Sequence, residues 1–419
     1  MNKWNKTKLG NVVDIISKSY SSKDNWDFVN YLDTGNITQN LIEDIQYIDI
    51  GKDKLPSRAK RKVKVDDIIY STVRPNQKHF GIIKNILPNM LVSTGFAVLR
   101  AIDNQAINKF IYYFLSQDNI INTLHAIAEQ STSAYPSIRP NDILNIDIAL
   151  PPLPTQCRIA GILSALDDKI ENNRKTSETL EQIAQAVFKR WFVDFDFPDE
   201  RGRPYKSSGG KMVESELGLI PEGWKIKPLT EVIDFKEGPG IRNWQYTNND
   251  EGIRFINIRC IKNYDLDLKT ANRISTEEAY GKYLHFHLKE NDIVISTSGT
   301  LGRIAIVRSE HLPLMLNTSV IRMRPISSFC TFSYLLGYMK SILQYELETR
   351  ASGSVQKNFG PMHLKEIKMV IPPIKTLKSH NIIIEKTIFK TLSLLKQNDL
   401  LQQTRDTLLP KLMSGEVEV

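Results

Sequence analysis

Pro151-Pro152-Leu153-Pro154-Thr155-Gln156 opens a run that continues through Ile162-Leu163-Ser164-Ala165-Leu166-Asp167-Asp168-Lys169-Ile170-Glu171 and closes on Phe188-Lys189-Arg190-Trp191-Phe192-Val193-Asp194-Phe195. From Thr155 to Phe195 there is one glycine and no proline. Apolar residues recur at three-four spacing, at Ile159, Ile162, Leu166 and Ile170 and again at Leu180, Ile183, Val187 and Trp191, which predicts a long amphipathic helix. Glu171-Asn172-Asn173-Arg174-Lys175 sets polar residues near its seam. About 40 residues at 1.5 Å each make a rod of roughly 60 Å, and a lone amphipathic rod cannot bury its own stripe. The pattern returns from Thr376 to Leu409 with Ile384, Ile388, Leu392, Leu395, Leu401 and Leu408. Two such rods are expected to pack as an antiparallel coiled-coil pair. The competing arrangement is a separate bundle in each half.

Working outward, the rest of the chain is also written twice, at an offset of about 220 residues. Trp4 and Leu9 align with Trp224 and Leu229, and Val12-Val13-Asp14-Ile15 with Val232-Ile233-Asp234-Phe235. Asp67-Ile68-Ile69-Tyr70-Ser71-Thr72 corresponds to Asp292-Ile293-Val294-Ile295-Ser296-Thr297, and Ser93-Thr94 through Arg100 to Asn317-Thr318 through Arg324. Ile148-Ala149-Leu150-Pro151-Pro152 matches Met369-Val370-Ile371-Pro372-Pro373. The shared order, more than any one match, makes this a repeat. Each copy begins with short β-rich runs broken by Gly, Asn, Asp and Pro turns. The expected division is a first β-rich α/β domain over 1–152, a long helix over 153–197, a linker over 198–222, a second β-rich domain over 223–373, and a second long helix with the C-terminus over 374–419. The fold class is α/β (α+β).

Composition bounds the function. The chain has 419 residues, 41% hydrophobic and 24% charged, with a formal net charge of +8, which suits an acidic partner such as nucleic acid. No run approaches the roughly 18 apolar residues of a membrane span, and Met1-Asn2-Lys3-Trp4-Asn5-Lys6 has no secretory character. Cys157, Cys260 and Cys330 lie far apart, which excludes a disulfide framework and fits the cytoplasm.

The helical motifs carry a resemblance. The opening Pro151 to Glu171, the close Phe188 to Phe195, Gly223-Trp224 at the start of the second half, and Leu408-Leu409-Pro410-Lys411-Leu412-Met413-Ser414-Gly415-Glu416-Val417 resemble the specificity subunits of type I restriction-modification systems. The resemblance covers essentially the whole chain. One departure is Ile374-Lys375-Thr376-Leu377-Lys378, which lacks the glutamine found at Gln156. The resemblance implies a subunit without catalytic activity whose two target-recognition domains each read one half of a split double-stranded DNA site. It also implies that the helical pair acts as a ruler, and that the chain joins two methyltransferase subunits and the ATP-driven restriction subunits.

The residues agree from a separate direction. An adenine methyltransferase needs a polar residue before Pro-Pro and an aromatic after it to hold a flipped base. Leu150-Pro151-Pro152-Leu153 and Ile371-Pro372-Pro373-Ile374 have neither and read as strand-to-helix breaks. Phe235-Lys236-Glu237-Gly238-Pro239-Gly240 reads as a tight turn and not a nucleotide loop, and there is no Gly-Lys-Ser/Thr phosphate loop. His285-Phe286-His287 puts two imidazoles on one strand face without a third ligand, so no metal and no cofactor is expected.

DNA contact needs cations for phosphates and forked or amide side chains for base edges. Lys52 to Lys64 is the densest positive run, and Lys60, Arg61 and Lys62 are its candidate contacts. Thr72 to His79 contributes Arg74, Asn76, Gln77 and Lys78, and its counterpart contributes Ser298, Thr300 and Arg303. Before the last strand of each copy stand Ser133, Tyr135 and Arg139, and Ser354, Gln356 and Lys357. Arg242-Asn243-Trp244-Gln245-Tyr246 adds Arg242 and Asn243; Lys18-Ser19-Tyr20 is its sparser counterpart. Solvated loops and strand caps are the competing readings. Phe188, Trp191, Phe192 and Phe195 cover more than one helix face and are expected to meet a partner chain. Two rival functions are a fused restriction-methyltransferase, disfavoured by the missing catalytic motifs, and an orphan DNA-binding scaffold.

Overall fold

The computed structural model describes residues 4–131, 135–262, 264–350 and 359–419. The chain packs as two units: Met1–Glu171 with Asn398–Val419, and Asn172–Gln397. Each unit contains one copy of the β-rich repeat and part of both long helices, Leu153–Phe188 and Ile374–Ser414.

In the first unit one four-stranded sheet has the order Val13–Ile15, Phe96–Ala101, Ile68–Ser71, Phe80–Ile82, all antiparallel. A second has the order Gln46–Asp49, Phe28–Leu32, Met90–Ser93, Ala59–Lys62, with the central pair parallel. Side chains alternate across a strand. Ile68 and Tyr70 therefore pack toward Phe110, Ile159 and Leu163, while Ile69 packs with Val92 and Val98 between the sheets. Both faces are covered, so the strand reads as an unbroken apolar run.

The second unit repeats this plan. Its first sheet runs Ile233–Glu237, Val320–Pro325, Ile293–Ser296, Ile304–Ile306, strand for strand the order of the first copy. Its second sheet keeps the parallel pair, here Ile253–Phe255 beside Leu314–Met315. In each copy the first and last strands pair antiparallel, Asn5–Lys8 with Asp147–Leu150 and Lys225–Pro228 with Lys368–Ile371, and deliver the chain to the Pro-Pro step before a long helix. A buried ion pair is repeated too. Asp67 accepts from Arg100 Nε at 2.7 Å and Nη2 at 2.9 Å, and from the Lys64 N–H at 2.8 Å. Asp292 accepts from Arg324 Nη2 and the Lys289 N–H, both at 2.7 Å, and from Arg324 Nε.

The long helices run antiparallel in both units. In the first, Arg405 Nη1 reaches Asp167 at 2.7 Å, and Ile159 and Leu163 lie in one core with Leu409, Leu412 and Met413. In the second, Asn173 donates to Gln397 at 2.7 Å, and Phe188 shares a core with Ile384 and Ile388. Two expected stripe positions differ, because Ile162 and Ile183 are exposed. The seam instead passes through Leu163, Asn173 and Ser177, with polar residues at its middle. The regular α-helix stops at Phe188, and Lys189–Val193 forms a π-turn that changes the phase of the aromatic strip. The compositional linker is folded: Asp199 accepts from the N–H groups of Arg201 and Arg203 at 2.8 Å, Tyr205 stacks on Phe197 at 4.7 Å, and Met212–Val213 pairs with Ile220–Pro221.

His285 and His287 do not share a strand. They sit at a 3-10 turn, Leu284–Phe286, with His287 Nε2 3.0 Å from the Ala279 carbonyl and its ring against Tyr280. No group of His, Cys, Asp and Glu fit to hold a metal occurs among the described residues. None of the helices formed by these residues is long and apolar enough to cross a membrane.

Candidate nucleic-acid interface

In the first copy the ends of several strands from both sheets converge on one set of loops. Ser71, buried at the end of its strand, donates to the Val73 carbonyl at 2.9 Å and starts the turn that follows. Thr72 binds the Gly95 carbonyl through both its N–H and its hydroxyl, at 2.8 and 2.9 Å. The Thr72 carbonyl accepts the Ile138 N–H at 2.8 Å, and the Arg74 N–H donates to the Pro136 carbonyl at 2.9 Å. The loop after Ile68–Ser71 and the loop before Asp147–Leu150 are therefore joined. Arg74 lies over the Tyr135 ring at 5.0 Å, a cation–π contact that holds an exposed guanidinium beside an exposed phenol. Asn76 and Gln77 are exposed on the adjoining 3-10 turn Pro75–Gln77.

Not every expected cation is available. Lys78 pairs with Asp118 at 2.7 Å, and Lys62 pairs with Asp24 beneath the Trp26 ring. Lys60 is exposed, and Arg61 keeps a buried Nε without a hydrogen-bond partner. Their strand, Ala59–Lys62, is flanked by 18–20, since Tyr20 N–H donates to the Lys60 carbonyl and Lys62 N–H to that of Lys18. The basic run thus meets the sparse first-copy counterpart of the Arg242 cluster. Arg139 caps Pro140–Leu144, its N–H bonded to Asp142 at 2.7 Å, with the side chain exposed.

The second copy assembles the same frame. Buried Ser296 donates to the Thr300 carbonyl at 2.6 Å and accepts the Arg303 N–H at 2.9 Å, shaping a loop that presents Thr300 and Arg303. Ser298 is half-buried. The Thr297 N–H binds the Ser319 carbonyl and its own carbonyl takes the Phe359 N–H, both at 2.9 Å, as Thr72 does with Gly95 and Ile138. Buried Asn317 accepts the Ile241 N–H at 3.0 Å, which brings the Arg242–Gln245 turn to the same end. Here Gly238 approaches so closely that an added Cβ would lie 2.1 Å from the Asn317 carbonyl oxygen. Arg242 and Asn243 are exposed, and Trp244 stands 81% exposed between them and buried Gln245. Ser133, Ser354, Gln356 and Lys357 lie outside the described residues.

Some members of this surface are missing from the sequence-based set. Asp33 follows strand Phe28–Leu32 and accepts the Tyr31 hydroxyl at 2.9 Å. Burial alone would raise its carboxyl, but the Thr34 N–H, the Tyr31 and Ser93 hydroxyls and the Arg58 charge hold it below the usual range. Burial pushes Tyr31 up to about 12. In the second copy Asn257 caps the equivalent turn and exposed Arg259 follows. The aligned Ser93-Thr94 and Asn317-Thr318 are the sequence signal for this end of each copy.

The aromatic strip is not a free surface. Phe188, Trp191 and Phe192 are buried, with Phe192 4.6 Å from Tyr334 and 4.8 Å from the His380 ring. Phe195 is half-buried against Trp224. The apolar area of Phe188, Trp191 and Phe192 beyond the two-helix seam packs into one core with the chain's own second recognition domain.

Residues 1–182 and 221–409 match the family described as type I restriction modification DNA specificity domain. The chain belongs to this family. It is 25% identical to the type I restriction enzyme HindI specificity subunit of Haemophilus influenzae, over 100% of both chains. The MjaIX specificity subunit of Methanocaldococcus jannaschii is 23% identical, over 75% of this chain and 70% of that one. The type I S subunit from M. genitalium shares the fold at a TM-score of 0.55 and 15% identity, covering 98% of this chain and 97% of that one. As a type I specificity subunit, the chain recognises DNA, assembles with other restriction-modification subunits, and is itself non-catalytic.

Proposed function

We propose that each recognition domain of this specificity subunit reads its own half of a bipartite double-stranded DNA site through the loop ends described above. Arg74, Asn76, Gln77 and Tyr135 serve the first half, with Lys60, Arg61 and Arg139 toward the backbone. Arg242, Asn243, Ser298, Thr300 and Arg303 serve the second. The helices set the number of unread base pairs, and the division at 152, 197, 222 and 373 separates reader, spacer and linker. Two methyltransferase subunits bind, one per repeat, because a twofold-like scaffold offers nearly the same surface twice. Restriction subunits join that complex in the cytoplasm.

What supports this reading is one observation: two copies share the strand order of their first sheet and a buried Asp–Arg pair, yet carry different polar loops at the matching end. A constant frame with variable loops is what two readers of different words require. The test is methylation mapping in a host that carries this chain with its methyltransferase. A split methylated word with a fixed gap is expected, and a single continuous word would overturn the reading. Native mass measurement should find two methyltransferases per chain.

A further inference from the structure

Glu181 on the first long helix meets two parts of the second recognition domain, Lys340 and Tyr264. Its carboxylate accepts from Lys340 Nζ at 2.7 Å, and the two side chains are only 18% and 10% exposed. The Tyr264 ring lies 3.6 Å from Lys340 Nζ, beside the same carboxylate. Burial pushes the Tyr264 hydroxyl up to about 12, with the Glu181 charge adding to it, and lowers the Lys340 ammonium against the pull of Glu181. Lys340 is carried on a π-turn, Met339–Leu343. Tyr264 has a φ of 64°, a left-handed backbone that bulky residues rarely adopt, and its carbonyl accepts the Ile306 N–H at 3.3 Å.

This node borders a narrow apolar pocket lined by Leu180, Leu336, Gly337, Ile384 and Ile388. The apolar core around it, Phe188, Leu336, Ile384 and Ile388, is close-packed but non-directional. Directional hydrogen bonds to a charge add a restraint on angle that apolar contact alone does not supply.

The first unit has the same arrangement from other residues. Asp167 accepts the Tyr113 hydroxyl and Arg405 Nη1, each at 2.7 Å, and Lys84 spans Asp168 at 2.8 Å and Glu171 at 2.9 Å. A cleft lined by Lys84, Tyr112, Tyr113, Asp167 and Asp168 lies beside them.

We propose that Glu181 and Asp167 are positioning residues that fix the angle of each recognition domain on the helical pair and so keep the gap between half-sites strict. The inference rests on the bipartite reading proposed above. Its test uses the full chain with its methyltransferase, comparing wild type, Lys340→Met/Glu181→Leu and Tyr113→Phe by methylation mapping and thermal melts. Replacing both members of a buried pair by apolar residues of similar volume leaves stability near wild type. A merely structural role would then leave specificity unchanged. The expected result is unchanged words, with methylation at gaps one base pair longer or shorter raised about tenfold. A gap as strict as wild type in folded variants overturns the inference. Tyr113→Phe, which removes a single hydroxyl, decides the matter if the double variant does not fold. A wild-type chain without a split methylated word removes the bipartite reading first, and this inference with it.

Discussion

Arg303 and Arg74 occupy matching loops after matching strands, and under the proposed reading they serve different words. Arg303→Ala should relax only the second half-site by about 1–3 kcal/mol if its guanidinium reads a base edge, and Arg74→Ala only the first. Binding to duplexes changed in one half at a time checks this. A uniform loss at both halves, with one charge less in the salt dependence, would assign the residue to phosphate instead. Asp292 is a structural counterpart to these exposed residues. Asp292→Asn leaves Arg324 without its buried carboxylate and should cost about 3 kcal/mol in urea unfolding, with the first half-site still read.

His380 adds a pH dependence at the same scale. Its ring is enclosed by Phe188, Trp191 and Phe192, and burial lowers its pKa from 6.5 to about 4. Ser333 donates to Asn381 Oδ1 at 2.9 Å, so its oxygen accepts from Nδ1–H, 3.2 Å away, and the ring is held neutral. The unfolded chain takes up a proton below pH 6.5 that the folded chain refuses until about pH 4. Stability from this group is therefore complete above pH 6.5 and is lost on going down to pH 4, on the order of 3 kcal/mol in all. Urea midpoints at pH 7 and pH 5 should differ less in His380→Ile, which installs the residue that Ile159 supplies in the first copy.

Among the elements, the start of each long helix was legible and its role was not. Gln156 is buried, its Oε1 accepting the Ile107 N–H at 3.0 Å and its Nε2 donating to the Pro151 carbonyl at 2.9 Å, which ties helix to recognition domain. At the matching place Leu377 is equally buried, so the departure from the family motif is a change from polar to apolar anchoring. Gln156→Leu should cost about 1–3 kcal/mol, because it strands a buried N–H, as a thermal melt would register. The repeat and the helix pairing were readable because they follow from periodicity and local breaks; the strand order within each sheet was not. The phase of the seam was not, since Asn173 and Ser177 are buried there through partners more than two hundred residues away or on the preceding turn. The same long range hid the fate of the aromatic strip: nothing local to Phe188 says that Gly337 will leave room for its ring, although an added Cβ would sit 2.2 Å from it. Loop chemistry was legible as type, and which cations were already paired was not, as Lys62 and Lys78 show.

For the whole molecule, the ruler is testable at the two points in the helices where one packing unit gives way to the other in the chain, after Glu171 and after Gln397. Inserting four helix-forming residues after Glu171 and four after Gln397 keeps each unit's contacts and lengthens both helices by about 6 Å. With about 3.4 Å per base pair, the gap between half-sites should grow by one or two base pairs while both words stay the same. Methylation mapping reads this directly, and an unchanged gap would remove the helices as its determinant.

The composition of the first unit also sets an order in time. Leu409, Leu412 and Met413 share a core with Leu9, Ile159 and Leu163, whereas the second unit is one continuous stretch. On the ribosome, the second reader holds all its parts once Gln397 has emerged. The first reader, though synthesised earlier, waits for the closing segment of the second helix. The half translated first is completed last, so a prematurely terminated chain carries an unfinished apolar face and no complete pair of readers.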